Sequence, residues 1–238
     1  MAVPGFTASS VRAARRGRVY GTGPRAAWFM ALLFLGFAAL VGWWLMDVAS
    51  LLKPPLPWWA LAVAFYGAEW LVVHLRVGRN VQSLSMTAAP LVIGLYAVAP
   101  LELLAAAGVA AVALAGSHRR QPISLLIFLV AQRMMLTAVA LAVFAAAAPA
   151  SDPLGPSGWL IAIAATQAAL ILRYGTDYLV IWSTGVRPPL RELFEAFGFG
   201  SIVTALNAAI GMLVARALFD APRIAVFAII PGIVLFGV

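Results

Sequence analysis

Cysteine is absent from this chain of 238 residues. Its absence excludes a disulfide framework, a thiolate nucleophile and any metal site with cysteine ligands. Histidine is almost absent too: His74 and His118 are the two present, each lies close to arginine, and neither has metal-ligand spacing around it. The sequence therefore predicts no metal site and no cofactor.

Charged residues are also scarce. They make up 10% of the chain, whereas hydrophobic residues make up 64%, a balance that a water-soluble domain of this length does not normally tolerate. The sequence therefore predicts an integral membrane protein whose main partner is the lipid bilayer. The net charge of +8 does not indicate a nucleic-acid partner, because the arginines lie in short clusters beside apolar runs rather than along one soluble face.

Long apolar runs recur along the whole chain. A helix needs about 20 residues to cross a hydrocarbon core of about 30 Å. We predict a basic cytoplasmic tail over residues 1–25, followed by a transmembrane domain over residues 26–238. The fold class of this domain is all-α, and its architecture is a polytopic helix bundle. The run "GVRPPLRELFE" is predicted as a polar connector before the seventh span. The bundle has about eight spans, at about residues 26–46, 58–75, 81–99, 101–116, 123–148, 159–182, 197–218 and 224–238.

The basic residues lie mainly on one side of these spans. This bias places the N-terminus in the cytoplasm, and eight spans return the C-terminus to the same side. The Arg- and Ala-rich composition indicates a bacterial source, so the predicted location is the bacterial cytoplasmic membrane. The chain stops at "PGIVLFGV" without a charged anchor, and we expect that it is truncated before a cytoplasmic output domain. The residues assigned to the cytoplasmic side are Arg12, Arg15, Arg16, Arg18, Arg25, Arg76, Arg79, Arg119, Arg120, Arg187 and Arg191.

The third predicted span begins with polar residues. Asn80 can cap a helix that starts directly after it, and Ser83, Ser85 and Thr87 then lie in the first two turns. Pro90 removes a backbone hydrogen bond and predicts a kink. The apolar parts of the third and fourth spans are short, so they form either two short kinked crossings or one re-entrant hairpin. Transporters and receptors use helices broken within the membrane to expose backbone groups to a ligand.

Four ionisable residues lie inside predicted spans: Glu69, Arg133, Arg173 and Asp177. Their charges sum to zero, and each would cost several kcal/mol if left unpaired in hydrocarbon. Arg173 and Asp177 are four residues apart on one helix and can pair directly. Helix lengths allow all four to meet in the inner half of the bundle. Two interpretations remain open: the charges form structural pairs between helices, or Glu69 and Arg133 line a ligand or proton site.

Motifs of catalysis are not found in the sequence. It contains no Gly-rich phosphate loop, nucleophile elbow or paired-carboxylate arrangement, so we predict that the chain is not an enzyme. The small residues of "AAAGVAAVALAG" and "NAAIG" would let helices approach closely. They serve either internal packing or a homodimer contact.

One part of the chain resembles a known family. The segments "VVHLRVGRNVQSLSMTAAPLVIGLYAVAPLELLAA" and "HRRQPISLLIFLVAQRMMLTAVALAVF" are similar to the multi-pass N-terminal membrane region of actinobacterial GGDEF/EAL cyclic-di-GMP signalling proteins. The family often has an acidic residue where this chain has Ala88 or Ala89, and an Asn near the position of Gln132 and Arg133. The matching residues are Arg76, Arg79, Ser83, Ser85, residues 90–95, Pro100 and residues 119–122.

The resemblance implies a sensory or anchoring input module. Such a module would bind a small molecule or sense the state of the membrane, and would regulate a cytoplasmic signalling domain that this chain lacks. The alternative is a small-solute transporter or a substrate-binding membrane subunit, which the predicted break at Pro90 and the charges Glu69, Arg133 and Arg173 favour.

Overall fold

Helices make up most of the described chain, together with one two-stranded hairpin. The structure, a computed structural model, describes residues 24–45, 56–70, 72–77, 80–117, 123–147, 153–183 and 190–220. Within these ranges the elements follow the chain as α1 (Pro24–Trp44), α2 (Trp58–Trp70), β1 (Val72–Val77), β2 (Asn80–Ser85), α3 (Ala88–Ala97), α4 (Pro100–Ser117), α5 (Ile123–Ala147), α6 (Pro156–Ser183) and α7 (Leu190–Asp220).

The long helices make the chain a helical membrane bundle. Within the described ranges, four helices are long and apolar enough to cross a membrane, at Pro100–Ser117, Leu126–Ala147, Pro156–Trp182 and Leu193–Asp220. The outward surface is apolar, with large side chains such as Leu32 and Leu160 exposed by 66% and 69%. Such side chains are stable in contact with lipid tails and would be unfavourable in water.

Several predicted boundaries agree with these helices, and one connector does not. The fourth, fifth and sixth spans match α4, α5 and α6 within a few residues. The predicted connector "GVRPPLRELFE" is partly wrong, because α7 already begins at Leu190. The first turns of α7 are polar, and an exposed ion pair joins Arg191 to Glu195. The predicted eighth span and residues 1–23 of the predicted tail lie outside the described residues, whereas Arg25, the last residue of that tail, lies in α1.

The prediction of one helix beginning after Asn80 is wrong. Residues Asn80–Ser85 form a strand that pairs antiparallel with Val72–Val77, so the second predicted span also ends earlier, as a helix at Trp70. Valine occurs in both strands, and its branched Cβ favours extended backbone. Beside the strands, the Met86 amide donates to the Ala68 carbonyl at 3.4 Å. The chain therefore leaves the end of α2 and returns to the same place.

Pro90 does not break a helix. It is the third residue of α3, where proline is tolerated because first-turn amides have no partner within the helix. The Met86 carbonyl, four residues before Pro90, accepts from the Ala89 amide at 3.2 Å. With 10 residues, α3 is about 15 Å long and too short for a full crossing.

The short helix α3 lies inside the bundle. Val92 and Ala97 have no exposed surface, and the helix packs mainly against α7. This packing requires glycine at position 211, because a Cβ there would lie 2.6 Å from the carbonyl oxygen of Ala89. The other main contacts join α1 to α5, α2 to α4, α4 to α5, α5 to α6 and α6 to α7.

Candidate functional site

An ion pair joins α2 to α5. The Arg133 guanidinium donates to the Glu69 carboxylate, and its other terminal nitrogen donates to the Thr87 hydroxyl at 3.2 Å. The side chains of Arg133 and Glu69 retain 23% and 16% of their exposure. One guanidinium thus binds the last turn of α2 and the residue directly before α3.

The β-hairpin explains how Glu69 and Thr87 meet. The two strands carry the chain away from the end of α2 and bring it back beside the start of α3. Arg133 lies ten residues after Ile123, and Arg173 lies ten residues before Ser183. Each distance along the helix is about 15 Å. Because α5 and α6 are consecutive helices that pack side by side, both arginines lie at about the same level of the bundle.

A second polar group joins α5 to α6. The Gln132 amide donates to the Thr176 hydroxyl at 2.7 Å and to the Asp177 carboxylate at 2.9 Å. The Thr176 hydroxyl in turn donates to the Arg173 carbonyl at 2.9 Å. Arg173 and Asp177 interact electrostatically, but the two are not among the ion pairs in direct contact that the described residues form. Asp177 is instead held by Gln132 on the neighbouring helix.

Arg173 differs from the other three charges. Its guanidinium has no hydrogen bond or ion pair to any residue in the described ranges. It is close enough to Arg133 and to Asp177 to interact with both electrostatically. Donors without acceptors are costly in a site of low dielectric constant, and Arg173 is the one of the four charges whose side chain has no hydrogen-bond partner within the described ranges.

Two small cavities meet at the arginines. One has a volume of about 80 Å³ and reaches the start of α3 and the middle of α7. The other has a volume of about 150 Å³ and reaches Glu69 and α4. Both are lined by Phe65, Arg133, Leu136 and Arg173. The cluster therefore lines internal space as well as joining helices.

The predicted site residues divide into three groups. Glu69, Arg133 and Thr87 are in direct contact, and Arg173 and Asp177 lie beside them. Pro90 is buried within α3. Ser83 and Ser85 lie on β2, of which the structure describes only the backbone.

Other polar residues of the site were not predicted. Gln132 lies between the two polar groups, and the threonines at positions 137, 166 and 204 line the smaller cavity. The hydroxyls of Thr137 and Thr166 donate to backbone carbonyls of their own helices, at 3.1 and 2.8 Å. In the sequence, each of these residues stands out as a single polar residue within an otherwise apolar helix.

The arrangement suits binding of a small polar molecule. Guanidinium groups provide planar donors that match carboxylates, and the Thr204 hydroxyl adds a neutral donor. Among the described residues, no group of three or more His, Asp or Glu side chains could hold a metal ion.

Comparison with known proteins assigns no family. No family model, no curated protein and no solved structure matches the chain. The resemblance to the membrane region of GGDEF/EAL proteins therefore stays a prediction.

Proposed function

We propose that this chain is the membrane-embedded input module of a bacterial signalling protein. In this proposal the bundle binds a small molecule near Arg133, and a change in helix packing reaches a cytoplasmic output domain of the cyclic-di-GMP type. The chain itself carries no catalysis. The observation that supports the proposal best is that one guanidinium joins α2, α5 and the start of α3 beside an internal cavity.

The contacts of Arg133 suggest how binding could change the packing. A ligand that competes for the guanidinium would weaken its bonds to Glu69 and Thr87, and the hairpin segment between them would then be free to move relative to α5. Binding shifts an equilibrium only if the ligand has different affinity for the two arrangements. Competition for one guanidinium provides that difference, because the contact with Glu69 exists in one arrangement and not in the other.

The hairpin also favours access from the cytoplasm. The helix α2 ends at the level of Arg133, and in this proposal the hairpin takes the place of a helix in the cytoplasmic half of the membrane. Each strand of a two-stranded hairpin has one edge whose amides and carbonyls take no part in the pairing of the two strands. Such groups are tolerated at membrane depth only where protein or water satisfies them. A water-filled entry beside the hairpin would satisfy them and lead to Glu69.

The proposal includes a topology. In this topology β2 and the short α3 together make the third of eight crossings, so that both termini lie in the cytoplasm. The membrane is the bacterial cytoplasmic membrane, and a homodimer is the expected assembly for coupling two output domains. The four long helices and the arginines of the hairpin segment are in keeping with this orientation.

A reporter fusion tests the input role. The full chain is joined to a diguanylate cyclase domain, and cyclic-di-GMP is measured in bacteria that carry the wild type, Glu69→Gln or Arg133→Gln. We expect a change of several-fold in cyclic-di-GMP per molecule of protein, because both variants remove the pair that joins α2 to α5. Glu195→Gln, in an exposed pair, is the control. Equal output from all four proteins would overturn the proposal, as would a reading frame without a signalling domain after Val238.

A transporter is the second candidate. The short buried helix α3 beside a polar cavity favours it, because transporters place broken helices around substrate sites near the middle of the membrane. Uptake into proteoliposomes that is lost in Glu69→Gln and in Arg133→Gln would support this function. Binding without uptake would favour the input module.

A further inference from the structure

We infer that the cavity between Arg133 and Arg173 binds a small organic monocarboxylate, with the Arg173 guanidinium as its anchor. This inference rests on the proposed function, because it names the class of ligand that the same site would bind. It is argued from the contacts of the charged residues and from the volume and lining of the cavity.

The partners of the four charges leave one position for an anion. Glu69 is bound by Arg133, and the Asp177 carboxylate accepts from Gln132. Arg173 has no such contact within the described ranges, although it lines both cavities. A carboxylate placed there would form two parallel charge-assisted hydrogen bonds with the guanidinium.

The charge of the site favours a monoanion. Glu69, Arg133, Arg173 and Asp177 sum to zero charge, so a monocarboxylate leaves the site with a single negative charge. The phosphate dianion, which is the main form of inorganic phosphate above neutral pH, would leave two, and this costs considerably more in a medium of low dielectric constant. Inorganic phosphate is therefore expected to bind weakly or not at all.

The lining and volume favour a short aliphatic chain. The cavity of about 80 Å³ is lined by Leu91, Leu136 and Val203 as well as by Thr204. Its volume equals that of two to three water molecules at about 30 Å³ each. The Thr204 hydroxyl has no hydrogen bond within the described ranges and can donate to a carboxylate oxygen. Acetate, propionate and butyrate are the matching probes.

Calorimetric titration tests the inference. The purified full chain in lipid nanodiscs is titrated with acetate, propionate and butyrate, and with chloride and phosphate at equal ionic strength. We expect saturable binding of at least one carboxylate to the wild type and none of phosphate. Arg173→Gln is expected to weaken binding about tenfold or more, whereas the exposed Arg191→Gln leaves the affinity unchanged. No carboxylate binding to the wild type would overturn the inference, as would chloride or phosphate binding alone, or equal binding to Arg173→Gln.

A second variant keeps the test decisive if Arg173→Gln fails to fold. Arg173→Lys retains the charge but loses the planar pair of donors. We expect it to bind the same carboxylate several-fold more weakly than the wild type, and equal affinity would overturn the role of Arg173.

The calorimetric titration and the reporter fusion test the ligand class and the input function separately. Absence of carboxylate binding together with altered output in Glu69→Gln would refute the ligand class and leave the input module standing. Arg173-dependent binding together with unchanged output would confirm the ligand site and refute the input function.

Discussion

Removal of one partner of the Glu69–Arg133 pair should destabilise the bundle. Loss of one member of a buried ion pair costs about 3–5 kcal/mol, because the other charge stays buried without a partner. The two side chains retain 16% and 23% exposure, so water reduces this penalty, and we expect about 2–3 kcal/mol for Glu69→Gln. Arg133→Gln should cost less, since an unpaired carboxylate can take up a proton and become neutral.

A double-mutant cycle measures the interaction itself. The free energy of unfolding is determined in mixed micelles for the wild type, the two single variants and the double variant. We expect the double variant to be more stable than the sum of the single effects predicts, by about 1–2 kcal/mol. Glu195→Gln removes a pair whose side chains are 57% and 87% exposed, and should change stability by less than about 0.5 kcal/mol. Additive single effects would refute the view that this pair joins α2 to α5.

Three further predictions concern packing and topology. Gly211→Ala should lower stability by about 1–3 kcal/mol, because the new Cβ would overlap the Ala89 carbonyl. The control is Gly175→Ala, whose Cβ meets nothing within 4 Å. Equal thermal unfolding midpoints for the two variants would contradict the packing of α3 on α7. Gln132→Leu should cost about 1–3 kcal/mol in chemical unfolding, since it removes both hydrogen bonds to α6. The chain has no cysteine, so Glu102→Cys gives a single label site; an impermeant maleimide should label it from outside the cell, and protection would contradict the proposed crossing of α4.

Hydrophobic length predicted the long helices well. The spans of α4, α5 and α6 could be located because the membrane requires a continuous apolar run with all backbone hydrogen bonds formed inside it. The same reasoning failed at residues 72–85, where short polar and valine-rich runs fit a helix start and a strand equally. Asn80 is a good helix cap, but the pairing of β1 with β2 depends on contact between two segments.

The sequence by itself determined that this protein is a helical membrane bundle and that four charges lie within its spans. Composition and run length are sufficient for that, since burial of charge in lipid is costly wherever it occurs. Only the tertiary structure decided the partners. Glu69 and Arg133 are 64 positions apart. They meet because α2 ends, and the hairpin begins, beside the part of α5 that carries Arg133. The Asp177 carboxylate accepts a hydrogen bond from Gln132 on the facing helix. Residue spacing within one helix cannot reveal such a partner, because the partner lies on a different helix.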